Sequence, residues 1–273
     1  MFETFRGLLA LKTSTERSHR DFADAYRATR AGRLSPTERA RLDGIETLRE
    51  ELLNSDLEIS YRDFGAGTPG DDLTREEMDR GRERTIVVRD VLRHGNLALR
   101  YRLLLFHLIR RLRPRTCIEL GTSLGFSVAY QAAALRLNGL GHVVTLEGCE
   151  NTAALARENL ARLGLDSHVT VVIGRFQDTL TGVLAEHGPV EFGFIDGHHD
   201  GDATIGYFKQ IVERCARDGV LVFDDIKWYE SMKAAWQRMA EDPASSVAVD
   251  CDVVGAILLG RWWRRRSLLR LHG

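Results

Sequence analysis

Cys117 to Ser127, CIELGTSLGFS, decides how the rest of the chain is read. Thr116, Cys117 and Ile118 make a short apolar run that ends in a carboxylate, Glu119. A turn follows with glycines at Gly121 and Gly125, and then a small-residue segment, SVAYQAAALRL, with helical character. The expectation is a buried strand, a tight turn where missing side chains let a ligand reach the backbone, and a helix whose free N-terminal N–H groups face that ligand. Such a cradle belongs at the carboxyl end of a parallel strand.

Three cradles share this outline, and spacing separates them. A dinucleotide fingerprint G-x-G-x-x-G needs glycines where Ser123 and Phe126 stand. A nucleophile elbow G-x-S-x-G is spelled by Gly121, Ser123 and Gly125, but it needs an acid and then a histidine downstream. After His199 the only histidine is His272, next to the C-terminus. The remaining pattern is E-x-G-x-x-x-G (Glu119, Gly121, Gly125).

Working outward, HVVTLEG is an apolar strand ending at Glu147, about twenty residues past the turn, where an acid can accept both hydroxyls of a ribose. The helix NTAALARENLARLGL leads to another strand, VTVVIG, followed by Arg175, Phe176, Gln177 and Asp178. Further on, Phe192 to Ile195 is a short buried strand with Asp196 at its end, and GVLVFDDIKW is a strand ending in Asp224 and Asp225. Three carboxylates from two strand ends converge on one edge of the sheet. Their repulsion demands a cation or shifted protonation, and oxygen ligands suit magnesium, manganese or calcium. Helix capping or bonding to loop N–H groups is the plainer role for such aspartates.

The run IELG, TLEG, VVIGRFQDTL resembles the class I S-adenosylmethionine-dependent methyltransferases, and within them the catechol O-methyltransferase-like group, over roughly residues 97–260. The resemblance implies an α/β, Rossmann-like fold: a seven-stranded, mostly parallel sheet with a C-terminal antiparallel hairpin, here supplied by SSVAVDCD and VVGAILLGRWW, behind an N-terminal helical extension. It implies cofactor contacts from Glu119, Gly121, Thr122, Ser123, Gly125, Ser127, Glu147, Gly148, Phe176, Gln177 and Asp196. Phe176 and Gln177 would border the adenine, and Ser127 would help hold the methionine carboxylate. It also implies a divalent metal on Asp196, Asp224 and Asp225. The family's lysine base is replaced by His199, as in a bacterial set carrying IDG-x-H. A histidine takes a proton near neutral pH without a depressed pKa. His199 and Asp196 are therefore the catalytic candidates; adjacent His198 would point elsewhere on an extended backbone. The implied reaction is methyl transfer to a hydroxyl of a small-molecule acceptor, with nitrogen methylation or a non-catalytic cofactor-binding module as alternatives. Lys227, Trp228 and Tyr229 could line the acceptor pocket or simply pack.

The first hundred residues read as helices. Phe2, Phe5, Leu8, Leu9 and Leu11 form an apolar stripe that invites a homodimer. Ser35, Pro36 and Glu38 start a helix that runs to about Asn54, and Thr74 with Glu77 caps another. The glycines and proline of YRDFGAGTPGDD break regular structure, and Arg62 to Gly67 is either an ordinary turn or a lid. A strongly apolar helix follows from Asn96 to Arg113. The domain reading is residues 1–95 as helical extension and 96–273 as the cofactor domain.

A net charge of −1 offers no global attraction to nucleic acid or an anionic membrane. The basic tail, Arg261 to His272, reads as solvated or contacting a second copy. Four scattered cysteines without C-x-x-C fit buried thiols in a reducing cytoplasm, and no apolar run is long enough to span a bilayer. The location expected is cytoplasmic.

Overall fold

A computed structural model describes residues 2–65, 73–95, 97–260 and 267–271. In chain order its elements are α1 (Phe2–Lys12), α2 (Arg17–Arg30), α3 (Pro36–Leu53), β1 (Glu58–Asp63), α4 (Arg75–Arg80), β2 (Arg82–Val87), α5 (Val88–His94) and α6 (Leu99–Leu112). The second half alternates: β3 (Thr116–Leu120), α7 (Phe126–Asn138), β4 (His142–Glu147), α8 (Glu150–Arg162), β5 (Val169–Ile173), α9 (Phe176–His187), β6 (Val190–Ile195), α10 (Gly201–Glu213) and β7 (Cys215–Phe223). It closes with α11 (Glu230–Ala240), β8 (Ser245–Cys251), β9 (Val254–Leu259) and β10 (Ser267–Arg270).

Both expected capping boxes form. Ser35 and Thr74 accept N–H bonds from Glu38 and Glu77, whose carboxylates reach back to the cap N–H groups. Four apolar strands (β3, β4, β6 and the end of β7) are buried on both faces, which is why they read as near-continuous hydrophobic runs. The main sheet has the order β10-β8-β9-β7-β6-β3-β4-β5. Strands β3 to β7 run parallel; β9 is antiparallel to β7 and to β8. The chain builds outward from β3 through β4 to β5, then returns to place β6 on the other side of β3. The switch point therefore lies between β3 and β6, where an open α/β sheet opens its crevice.

One face of the sheet is covered by a core in which Phe22, Ile45 and Phe106 join Phe192 and Val222. Leu180, Phe208 and Trp236 cover the other with Ile118 and Phe223. The N-terminal helices thus share the sheet's core.

Two features depart from the reading above. The sheet has eight strands, because Ser267–Arg270 of the tail pairs in parallel with β8. Tyr26 Oη anchors its end by donating to the Leu271 carbonyl at 3.0 Å. Helix α1 lies on this strand, with Gly7 facing Leu269 and Leu271 and Leu11 buried, while Leu9 of the stripe that suggested a dimer stays exposed. Trp262 and Trp263 lie outside the described residues. Second, the N-terminal part is not helical throughout: β1 and β2 pair antiparallel, from Glu58 opposite Val87 to Asp63 opposite Arg82. The strands are mostly polar and half exposed, so they carry little of the hydrophobic signal that marks a strand. Ala66 and Gly67 of the loop expected as turn or lid lie outside the described residues.

Candidate active site

The β3–α7 turn is closed by backbone. Gly121 N–H donates to the Leu146 carbonyl at 3.0 Å, and Asp196 N–H to the Leu120 carbonyl at 2.8 Å. Gly121 sits at φ +104°, and a Cβ there would fall 1.9 Å from the Asp196 carbonyl oxygen. Only glycine lets the ends of β3 and β6 come this close. Gly125 (φ +86°) enters α7 with no side-chain cap, which leaves the first N–H groups of that helix for a ligand.

Glu147, at the end of β4, is the carboxylate the turn is built around. Its Oε2 accepts from Ser123 N–H at 2.7 Å and its Oε1 from Cys149 N–H at 2.9 Å. Burial pushes its pKa up, and these backbone bonds pull it back. Each oxygen keeps a lone pair for a further donor.

Glu119 turns into the protein interior. It is fully buried under the turn, accepting from Gln131 Nε2 at 2.7 Å and Thr145 Oγ1 at 2.6 Å. Burial raises its pKa to about 7 against the hydrogen bonds from Thr145, Ser127 and Gln131. It braces the strand end, as does Thr122, whose hydroxyl pairs with that of Thr145 at 2.6 Å. The sequence marks Glu119 correctly as part of the motif but says nothing about which way the side chain turns.

A cavity of about 360 Å³ opens above these groups. Gly121, Thr122, Ser123, Ser127, Glu147, Gly148, Phe176, Gln177 and Asp196 line it, together with His198 and His199. The expected cofactor residues apart from Glu119 and Gly125 are thus brought to one hollow. Arg62 to Gly65 of the loop expected as turn or lid line it too, and sequence reasoning missed the rest of this N-terminal wall, Arg84 and Leu97 among others.

His198 and His199 both have left-handed backbone (φ +70° and +50°), so the extended geometry expected to separate them is not present and both reach the cavity. His198 Nδ1 is tied to Tyr207 Oη at 2.8 Å. His199 stands between carboxylates: Nε2 is 3.9 Å from Asp196 Oδ1 and Nδ1 is 3.8 Å from Asp225 Oδ2. Burial lowers the His199 pKa while Asp225 and then Asp63 raise it. Burial, then the charges of Asp224 and Asp225, drive Asp196 well upward. Asp224 is pushed to about 7 by burial and by Asp225.

This donor set has the oxygen chemistry of a hard-cation site. Its arrangement does not fit one. The imidazole stands between Asp196 and Asp225, and among the described residues no group of three or more His, Cys, Asp or Glu is placed to hold a metal ion. Nor do Lys227 and Trp228 form a pocket wall: Lys227 Nζ bonds Asp250 Oδ1 at 2.9 Å, and Trp228 lies exposed. The four cysteines are free and no described helix is long and apolar enough to cross a membrane.

A parallel sheet with a reversed hairpin at one edge, a glycine turn after its first parallel strand and an acid ending the next define the class I methyltransferase fold. Residues 118–226 match the family described as a methyltransferase domain. The chain is 34% identical over 115 residues to a catechol O-methyltransferase of Mycobacterium tuberculosis, an alignment covering 42% of this chain and 50% of the relative. It is 35% identical over 114 residues to a catechol O-methyltransferase of Niastella koreensis, covering 41% and 49%. The chain spans about half the length of these curated relatives. A solved O-methyltransferase from Bacillus cereus, in complex with SAH, superposes with a TM-score of 0.52 at 24% identity, covering 60% of this chain and 83% of that one.

Proposed function

We propose that the chain is an S-adenosylmethionine-dependent methyltransferase that methylates a hydroxyl oxygen of a small-molecule acceptor. The observation that carries this reading is that the Glu147 carboxylate, the glycine turn and His199 share one cavity. The relatives named above, catechol O-methyltransferases, support the hydroxyl acceptor.

The residues fit the cofactor: Gly121 and Gly125 hold open a backbone cradle, and the buried Glu147 presents free lone pairs to ribose hydroxyls. The α7 N-terminus and Ser127 face the carboxylate of the methionine end, and Phe176 and Gln177 border the base. When bound, the cofactor supplies an electrophilic methyl on sulfonium. The chain's own work is to position the acceptor in line and take its proton. His199 is the base. Its lowered pKa leaves it neutral and receptive near pH 7, and once protonated it is held chiefly by Asp225.

The test is methyl transfer from S-adenosylmethionine to a panel of phenols and matched amines, by wild type and His199→Gln, with and without magnesium. Transfer to phenols that falls roughly 100- to 10,000-fold in the variant, with S-adenosylhomocysteine affinity held within about threefold, supports the reading. Transfer confined to amines would move the acceptor to nitrogen. Activity that vanishes on chelation and returns with magnesium would restore the metal on Asp196, Asp224 and Asp225.

A further inference from the structure

The segment from β1 to β2 precedes the matched residues 118–226, yet it delivers an aromatic side chain to the strand end that carries Glu147. Strand β1 is fastened to the β4–α8 junction by three bonds. Arg62 N–H donates to Cys149 Sγ at 3.4 Å, and the Ser60 carbonyl accepts from Cys149 Sγ at 3.9 Å and from Asn151 Nδ2 at 2.8 Å. Phe64 follows directly, and its ring is seated between two glycines. A Cβ on Gly148 would meet the ring at 2.7 Å, and one on Gly81 would meet its other edge at 2.7 Å. Gly81 needs its freedom anyway, at φ +72°. Gly148 has no positive φ, so close approach, not backbone conformation, explains the missing side chain.

The ring is held from behind as well. The Arg62 guanidinium lies 5.8 Å from its centroid and donates to the Arg80 carbonyl at 3.2 Å. Across the cavity mouth, α4 is tied to the Phe176 edge. Arg175 Nη1 donates to the Asp79 carbonyl and Gln177 Nε2 to Asp79 Oδ1, each at 2.9 Å. The excursion therefore bridges the cavity from the strand end that carries Glu147 to Gln177, the two residues assigned above to ribose and base.

We propose that Phe64 is a cofactor-binding residue, its ring packing against the nucleoside of the S-adenosyl ligand from the β1–β2 side while it rests on Gly148. This rests on the proposed methyltransferase reading. An aromatic face suits this ligand because base stacking on a ring needs no directional polar group.

The test is calorimetric titration of the full chain with S-adenosylhomocysteine and, separately, with adenosine, for wild type, Phe64→Ala, Phe64→Leu, Gly148→Ala and the Phe64→Ala/Gly148→Ala pair. Phe64→Ala is expected to weaken both ligands roughly tenfold or more, since the lost contact is with the nucleoside they share. Phe64→Leu recovers part of the loss. Gly148→Ala weakens binding by displacing the ring, so it adds almost nothing when Phe64 is already alanine. Equal affinity in wild type and Phe64→Ala would overturn this role while leaving the methyltransferase reading intact. So would a loss for S-adenosylhomocysteine without one for adenosine, or full additivity of the pair, which would mean the new methyl meets the nucleoside itself. A folded wild type that binds neither ligand would overturn the cofactor reading and Phe64's role together.

Discussion

Two regions of the molecule meet at the same cavity and reach it by different physics. The β3–α7 turn is held by backbone: glycines at positive φ, main-chain bonds between strand ends, and a buried carboxylate accepting two N–H groups. The β1–β2 excursion is held by side chains, through Asn151, Arg175, Gln177 and one aromatic ring between glycines. Backbone-built parts are demanding of residue type at each position, whereas side-chain attachments are individually modest. The first should therefore respond to substitution far more sharply than the second.

The largest expected effect follows from Gly121→Ala. Its Cβ would collide with the Asp196 carbonyl at a φ that only glycine adopts freely. Stability should fall by about 3 kcal/mol or more in denaturant titration, and ligand binding should go with it. A mild effect would show that the turn is more compliant than described.

Glu147→Gln comes next. The amide offers one acceptor where two N–H groups now bond, and it loses the charge that favours ribose hydroxyls. S-adenosylhomocysteine affinity should drop roughly 10- to 100-fold by calorimetry.

Glu119 sharpens the comparison through pH. Burial raises its pKa from 4.5 to about 7, so the folded chain keeps a proton that the unfolded chain has already released. The stability contributed is fully present below about 4.5 and is lost as pH rises through about 7. In Glu119→Gln that loss disappears, because Thr145 can turn its hydroxyl to suit the amide while still meeting Thr122. Thermal unfolding at pH 5 and pH 8 should show wild type losing about 1 to 3 kcal/mol relative to the variant. A parallel pH response in both proteins would remove Glu119 as the cause.

Asp79→Ala should do least. It removes one exposed hydrogen bond to Gln177 and an exposed ion pair with Arg175 at 3.8 Å, and leaves the backbone bond to Arg175, so ligand affinity should change about threefold. A loss as large as that of Glu147→Gln would erase the distinction between the two regions.

The same contrast explains what the sequence made legible. Glu119, Gly121, Gly125 and Glu147 could be read because a glycine or a strand-end acid has a backbone or chemical reason to be there. Ser35 with Glu38 and Thr74 with Glu77 were readable for the same reason: a cap has fixed spacing. The β1–β2 ribbon was not, since Glu58, Ser60, Arg62 and Glu83 to Thr85 present a polar, exposed pattern whose structure comes from docking on Cys149 and Asn151. Nor was β10, because the basic residues around it hide four that pair with β8. The inward turn of Glu119 and the left-handed backbone of His198 and His199 depend on tertiary packing, and no local spacing announces either.

The most direct check of the central claim is the thermal unfolding midpoint of the full wild-type chain with and without S-adenosylhomocysteine, beside Glu147→Gln. Binding in the cavity at a hundredfold excess over Kd should stabilise wild type by about 2.7 kcal/mol, raising its midpoint by several degrees at a ligand concentration that stabilises the variant by only about 0.4 to 1.4 kcal/mol. A folded wild type whose midpoint is unchanged at saturating ligand would contradict the account.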